Sequence, residues 1–117
     1  MGVKSFIKKV AQSTEESDRE RLRDFCSEIG LTPLDELPLR TPVRVAGEVT
    51  SLRIVPRAGA PAVEITVRDG RGALVAVFLG RGRIRGMTPG RRLILDGVAI
   101  REGAENVVYN PAYELLA

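Results

Sequence analysis

VRVAGEV, Val43 to Val49, places Val43, Val45, Gly47 and Val49 at every second position, and LILDGVA, Leu93 to Ala99, repeats the pattern with Leu93, Leu95, Gly97 and Ala99. A spacing of two sends alternate side chains to opposite faces of a strand. Each stretch therefore predicts a long strand with one apolar face, bent at its glycine. After Val49 the apolar phase slips, because Leu52 and Ile54 fall on even numbers where the valines are odd. A one-residue slip turns the whole apolar set outward, so a bulge near Thr50 and Ser51 is expected to absorb it.

Between the two motifs, PAVEITVRDG alternates Val63, Ile65 and Val67 against Glu64, Thr66 and Arg68, giving one core face and one wet face. DGRG, Asp69 to Gly72, is rich in residues that tolerate positive φ and reads as a hairpin turn into Ala73–Leu79, a run apolar on both faces. GRGRIRGMTPG interrupts the pattern before RRLILDGVAIREG, a last strand ENVVYN ends at Asn110-Pro111, and AYELLA closes the chain. Five strands in this order, with a long bent first strand, a meander, an interruption after the third and a closing hairpin, predict a five-stranded OB-fold barrel. Periodicity alone leaves an SH3-like barrel or a general five-stranded sheet open.

Ahead of this all-β domain, residues 41–117, the chain reads as an N-terminal helix and a proline-containing connector, residues 1–40. Leu22, Phe25, Cys26 and Ile29 share one helical stripe, Ser17 with Glu20 forms a capping-box pattern ahead of them, and Gly30 supplies a stop. The stripe predicts a helix over about residues 14–29, docked on the sheet domain through Leu22, Phe25 and Ile29. Phe6, Ile7 and Val10, with Lys4, Lys8 and Lys9, read as a separate basic amphipathic turn. Three lysines and three hydrophobes are too little for membrane anchoring, so no membrane partner is expected. LTPLDELPLRTP, Leu31 to Pro42, holds three prolines and reads as an extended connector.

Composition narrows the function. A hydrophobic content of 44% with 28% charge over 117 residues describes one globular domain, and the absence of a long apolar run or a signal-peptide pattern points to the cytoplasm. A single cysteine and no histidine remove an intramolecular disulfide, a zinc site and the commonest general base, so neither a metal nor a cofactor is expected. Asp69, Asp96, Glu64 and Glu102 have no nucleophile in company, and no phosphate-binding G-x-x-x-x-G-K pattern occurs, which argues against an enzyme. Residues 1–40 carry seven basic and eight acidic groups, whereas residues 41–117 carry eleven arginines against seven acids. All three lysines fall within the first nine residues, and the later use of arginine alone fits a GC-rich genome as well as a choice of fork geometry for phosphate.

The succession of VRVAGEVTSLRIVPRAGAPAVEITVRDGRGALVAVFLG, PGRRLILDGVAI and YNPAYELL resembles the OB-fold modules in the wedge domain of branched-DNA helicases of the RecG kind. It is similar also to small stand-alone actinobacterial proteins that carry such a domain behind a short helix. The resemblance spans about residues 41–116. It implies single-stranded or branched DNA as the partner, with RNA open, and in the helicase wedge aromatic groups near the third strand stack on bases. Only Phe78 stands in that region here, followed by arginines.

The candidate nucleic-acid-binding set is accordingly Arg53 and Arg68 on the outward face of the first two strands, Arg71 in the hairpin turn, Phe78, and Arg81, Arg83 and Arg85 in the interruption. No acid lies between Gly70 and Leu95. Fixed positive charge of this kind releases counterions from a phosphate backbone and binds with little regard to sequence. Glu64 opposes Arg53 and Arg68, and aromatic residues are only 4% of the chain, so modest affinity is expected. The alternative is a protein-interaction module that presents Leu22, Phe25 and Ile29, or Val75, Val77 and Leu79, to a partner.

Overall fold

The computed structural model describes residues 3–117, with side chains from residue 14 onward. Helix α1 spans Val3–Ile29, a 3-10 turn covers Leu34–Glu36, and six strands follow: β1 Pro42–Arg57, β2 Ala60–Arg68, β3 Ala73–Leu79, β4 Arg92–Glu102, β5 Glu105–Tyr109 and β6 Ala112–Leu115. Strand order is β1-β2-β3-β5-β4, and β4 pairs back with β1, so five strands form a closed ring. Every pairing in the ring is antiparallel except β3 with β5. The protein is thus an all-β domain with an N-terminal helix.

The two glycine-bearing motifs are each other's ladder partners, with Val43 opposite Gly97, Val45 opposite Leu95 and Gly47 opposite Leu93. Their glycines answer close approach. A Cβ on Gly47 would lie 2.4 Å from Val67 Cγ1 and 2.8 Å from the Arg68 carbonyl, and one on Gly97 would lie 2.6 Å from Val108 Cγ2. At Glu48, β1 exchanges β4 for β2 as its partner. The register with β2 then shifts between Val49 and Ser51, where the sequence demands a bulge. Val45, Val49, Val63, Ile65, Val67, Leu93 and Leu95 consequently all face one core. Each large side chain so buried contributes roughly 1.5–3 kcal/mol.

Three elements depart from the sequence reading. The helix is continuous from Val3, and the Ser17–Glu20 capping box is not used, because no glycine or proline falls between Val3 and Ile29. The side chains of the basic turn at Lys4–Val10 lie outside the described residues. Closing strand β5 does not end the sheet at Pro111: after an interruption at Asn110, whose φ is +50°, β6 continues along the same edge of β4. The connector is also not wholly extended. Asp69 Oδ2 accepts the Leu34 N–H at 2.8 Å and stands in for the missing side-chain cap of the 3-10 turn, burying Leu34 against the core.

Helix α1 docks as its stripe predicts. Leu22 is buried, Phe25, Cys26 and Ile29 are half-buried, and the Arg92 guanidinium lies 4.2 Å from the Phe25 ring centroid. Gly70 in the β2–β3 turn makes room for the helix, since a Cβ there would lie 2.7 Å from the Arg19 carbonyl.

Candidate nucleic-acid interface

The antiparallel register of β1 and β2 sets Arg53 directly across from Glu64. The two side chains form an ion pair, and Arg57 Nη2 reaches the other Glu64 oxygen at 3.2 Å. The hydrogen bond from Arg53 holds the Glu64 carboxyl below its ordinary range, against the opposing effect of desolvation. That pairing therefore supports the fold above the usual carboxylate range and is lost as pH falls through the depressed value. Arg57 Nη1 also donates to the Tyr109 oxygen at 3.2 Å, and the Tyr109 hydroxyl donates to Glu102 Oε1 at 2.7 Å. The last bond is the main reason that the Tyr109 phenol is pushed above its usual value.

This polar bridge joins the β1–β2 end to the β4–β5 end across the outside of the sheet. Beneath it lies a second apolar cluster, Ala62, Val75, Val77 and Val107, flanked by Val55 and Tyr109. Val75 and Val77 are therefore covered, and of the strand residues offered as a partner surface only Leu79 is exposed.

The other expected site residues have divergent fates. Arg71 bonds Asp35 at 2.9 Å and Glu36 at 3.1 Å, so its charge is engaged within the chain. Its turn is fixed by Asp69, whose Oδ1 accepts the N–H groups of Arg71 and Gly72 at 2.9 and 2.8 Å. Phe78 points inward, is 4% exposed, and meets Tyr113 edge to face with centroids 5.7 Å apart. No face of its ring is offered to a base from that position. Arg68 is exposed and has no ion pair among the described residues. With Arg101, Thr66, Asn106 and the acidic Glu105 it borders a recess of about 340 Å³ on the outside of β2, β3 and β5. Arg101, which the sequence reading passed over beside Glu102, is held there by bonds to Asn106 Oδ1 and the Gly103 carbonyl, both at 3.2 Å.

Arg81, Arg83 and Arg85 are all exposed, and none has an ion pair or hydrogen bond among the described residues. Their backbone is anchored in spite of its glycines. Ile84 and Met87, 6% and 3% exposed, enter the core from the loop, and the Met87 N–H bonds the Ile84 carbonyl at 3.2 Å. Further along, Gly90 N–H bonds the Val49 carbonyl at 2.7 Å and Val49 N–H bonds the Arg91 carbonyl at 2.8 Å, tying the loop to the β1 bulge. Odd-numbered arginines thus point to solvent while Ile84 between them points inward. The loop leaves β3 beside the β1–β2 end, where Gly82 approaches Pro61, and finishes at the β1 bulge, where Val49 faces Val67 of β2.

Burial pushes the Cys26 thiol up to about 11, with Asp69 adding to the effect, so the thiolate is scarce at neutral pH. No group of metal-ligating side chains converges among the described residues, and none of the described helices is long and apolar enough to cross a membrane. No protein-family model matches the chain, and no curated protein matches it in sequence.

Proposed function

We propose that the closed ring is an OB-fold and that the protein is a non-catalytic nucleic-acid-binding module. It grips the phosphate backbone of single-stranded or branched DNA, or of RNA, through Arg81, Arg83 and Arg85. The ring order β1-β2-β3-β5-β4 with its β1–β4 closure supports the fold assignment. The observation that carries the function is the contrast in charge pairing: Arg44, Arg53, Arg57, Arg71 and Arg92 are in ion pairs, whereas the three loop arginines are exposed and unpaired on an anchored backbone.

Three outward guanidiniums at alternate positions replace condensed counterions on a polyanion, and the fork of each reaches phosphate oxygens. The loop contains no asparagine or glutamine to read base edges, so specificity is low. Arg68 and Arg101 give a strand that runs along the outer face a second point of attachment. Fluorescence anisotropy with a labelled single-stranded oligonucleotide, titrated over salt, tests this. Changing Arg81, Arg83 and Arg85 together to alanine should weaken binding about tenfold or more and flatten the slope of log affinity on log salt by about 0.7 for each phosphate the loop no longer neutralises. Unchanged affinity and slope would make the loop a solvated edge and favour a protein partner instead.

A further inference from the structure

We infer that Tyr113 is a base-stacking platform set between the two ends of the arginine loop, giving the site a preference for single-stranded over duplex nucleic acid. The inference rests on the reading of Arg81, Arg83 and Arg85 as the phosphate grip. Tyr113 lies opposite Leu95 and Leu115 opposite Leu93, so both point to the core side of β6. Leu115 packs against the core, whereas Tyr113 stays 38% exposed. Both ends of the loop converge on this pair. Phe78, whose ring stands at 86° to that of Tyr113, lies two residues before Gly80, where the loop begins. At the far end Gly86 packs so closely on Leu115 that a Cβ would come within 2.8 Å of its Cδ1. The segment bearing the three unpaired arginines therefore runs from one flank of Tyr113 to the neighbouring side chain on the same strand face.

The other described aromatic groups are committed elsewhere. Phe25 lies under Arg92, Phe78 is in the core, and the Tyr109 hydroxyl is held between Arg57 and Glu102. Tyr113 combines a ring that is 38% exposed with unpaired cations on the loop that passes it, which is the pairing of stacking surface and positive charge that single strands use. Every base has a π-face, so stacking here adds affinity without sequence preference. A duplex keeps its bases stacked on each other and can engage only the arginines.

The test uses the full chain with an oligothymidylate of about 15 nucleotides and a duplex of the same length. Tyr113→Leu, which keeps an apolar side chain against Phe78, should weaken single-strand binding about tenfold with the salt slope and the duplex affinity unchanged. Tyr113→Phe should bind like the unaltered protein. In a Tyr109→Phe background Tyr113 is the sole tyrosine in a chain without tryptophan, and its emission should be quenched by the oligothymidylate. Normal single-strand affinity of Tyr113→Leu, equal losses on both probes, or unquenched emission would each overturn the platform. If the triple arginine variant loses binding while Tyr113→Leu does not, the phosphate grip stands and the stacking role alone falls. If the unaltered protein binds neither probe, both fall.

Discussion

Arg53 and Arg57 at the end of β1 and Arg81, Arg83 and Arg85 after β3 are the same side chain at one end of the same ring, yet only the second group leaves its charge open. The ladder explains the difference. A strand residue has a neighbour fixed by register, and register puts Glu64 across from Arg53 and within reach of Arg57. The loop residues have no ladder partner, and the stretch from Gly70 to Leu95 contains no acid to supply one. For these two groups, the charge left open to an outside anion follows from which of them has an acid across the ladder. The paired face gains a rigid cover over Val75 and Val77, and the unpaired loop gains its rigidity from Ile84 and Met87.

That anchoring is the first place to break the comparison. Ile84→Ala empties a core position while leaving all three arginines in place, and a large-to-small change at a site 6% exposed should cost about 2–4 kcal/mol in stability. Chemical denaturation measures this directly. Oligonucleotide affinity should fall by several fold under conditions where the variant remains folded, because charges on a loosened loop lose entropy on binding. Full affinity in a destabilised Ile84→Ala protein would mean that the loop binds as a flexible tether.

Glu64→Gln sharpens the comparison from the other side. Glutamine keeps an acceptor for Arg53 and Arg57 but withdraws the charge that neutralises them. The outer face should then take up phosphate: single-strand affinity should rise about threefold, and the salt dependence should steepen by about 0.7 for each arginine recruited. An unchanged salt slope in the same anisotropy assay would show that the Arg57–Tyr109–Glu102 bridge keeps the face shut without help from Glu64.

Much of the fold is legible in the chain, and the reason is phase. The odd-to-even slip after Val49 calls for a bulge at Thr50, and the shared pattern around Gly47 and Gly97 marks two strands that turn out to pair with each other. Where phase is missing, the reading fails. Ala73–Leu79 is apolar at every position, so nothing in the sequence says that Phe78 faces the core while Val77 lies outside beneath the polar bridge. Asn110-Pro111 carries the local chemistry of a stop, yet β6 resumes because β4 still offers a free edge at Leu93–Asp96. The candidate site divides in the same way: loop arginines without neighbours keep the character that composition gives them, while Arg53 and Arg71 meet acids brought in by tertiary structure.

Arg71 gives the smallest expected effect and the most discriminating one. It sits in the same acid-free stretch as the loop arginines, in the hairpin turn rather than in the interruption that bears Arg83. In the fold its guanidinium faces Asp35 and Glu36 of the 3-10 turn, which is itself held by the bond from Leu34 to Asp69. A phosphate approaching Arg71 would meet two carboxylates along with it and would have to displace them. Arg71→Ala should therefore change oligonucleotide affinity by less than about twofold and leave the salt slope as it was, whereas Arg83→Ala alone should flatten the slope by about 0.7. Run side by side at several salt concentrations, the two single variants isolate pairing from mere charge. Equal losses would show that the carboxylates yield to phosphate and that any arginine on this surface is as good as another. A loss confined to Arg83→Ala would tie binding to the arginines that the fold leaves without a partner.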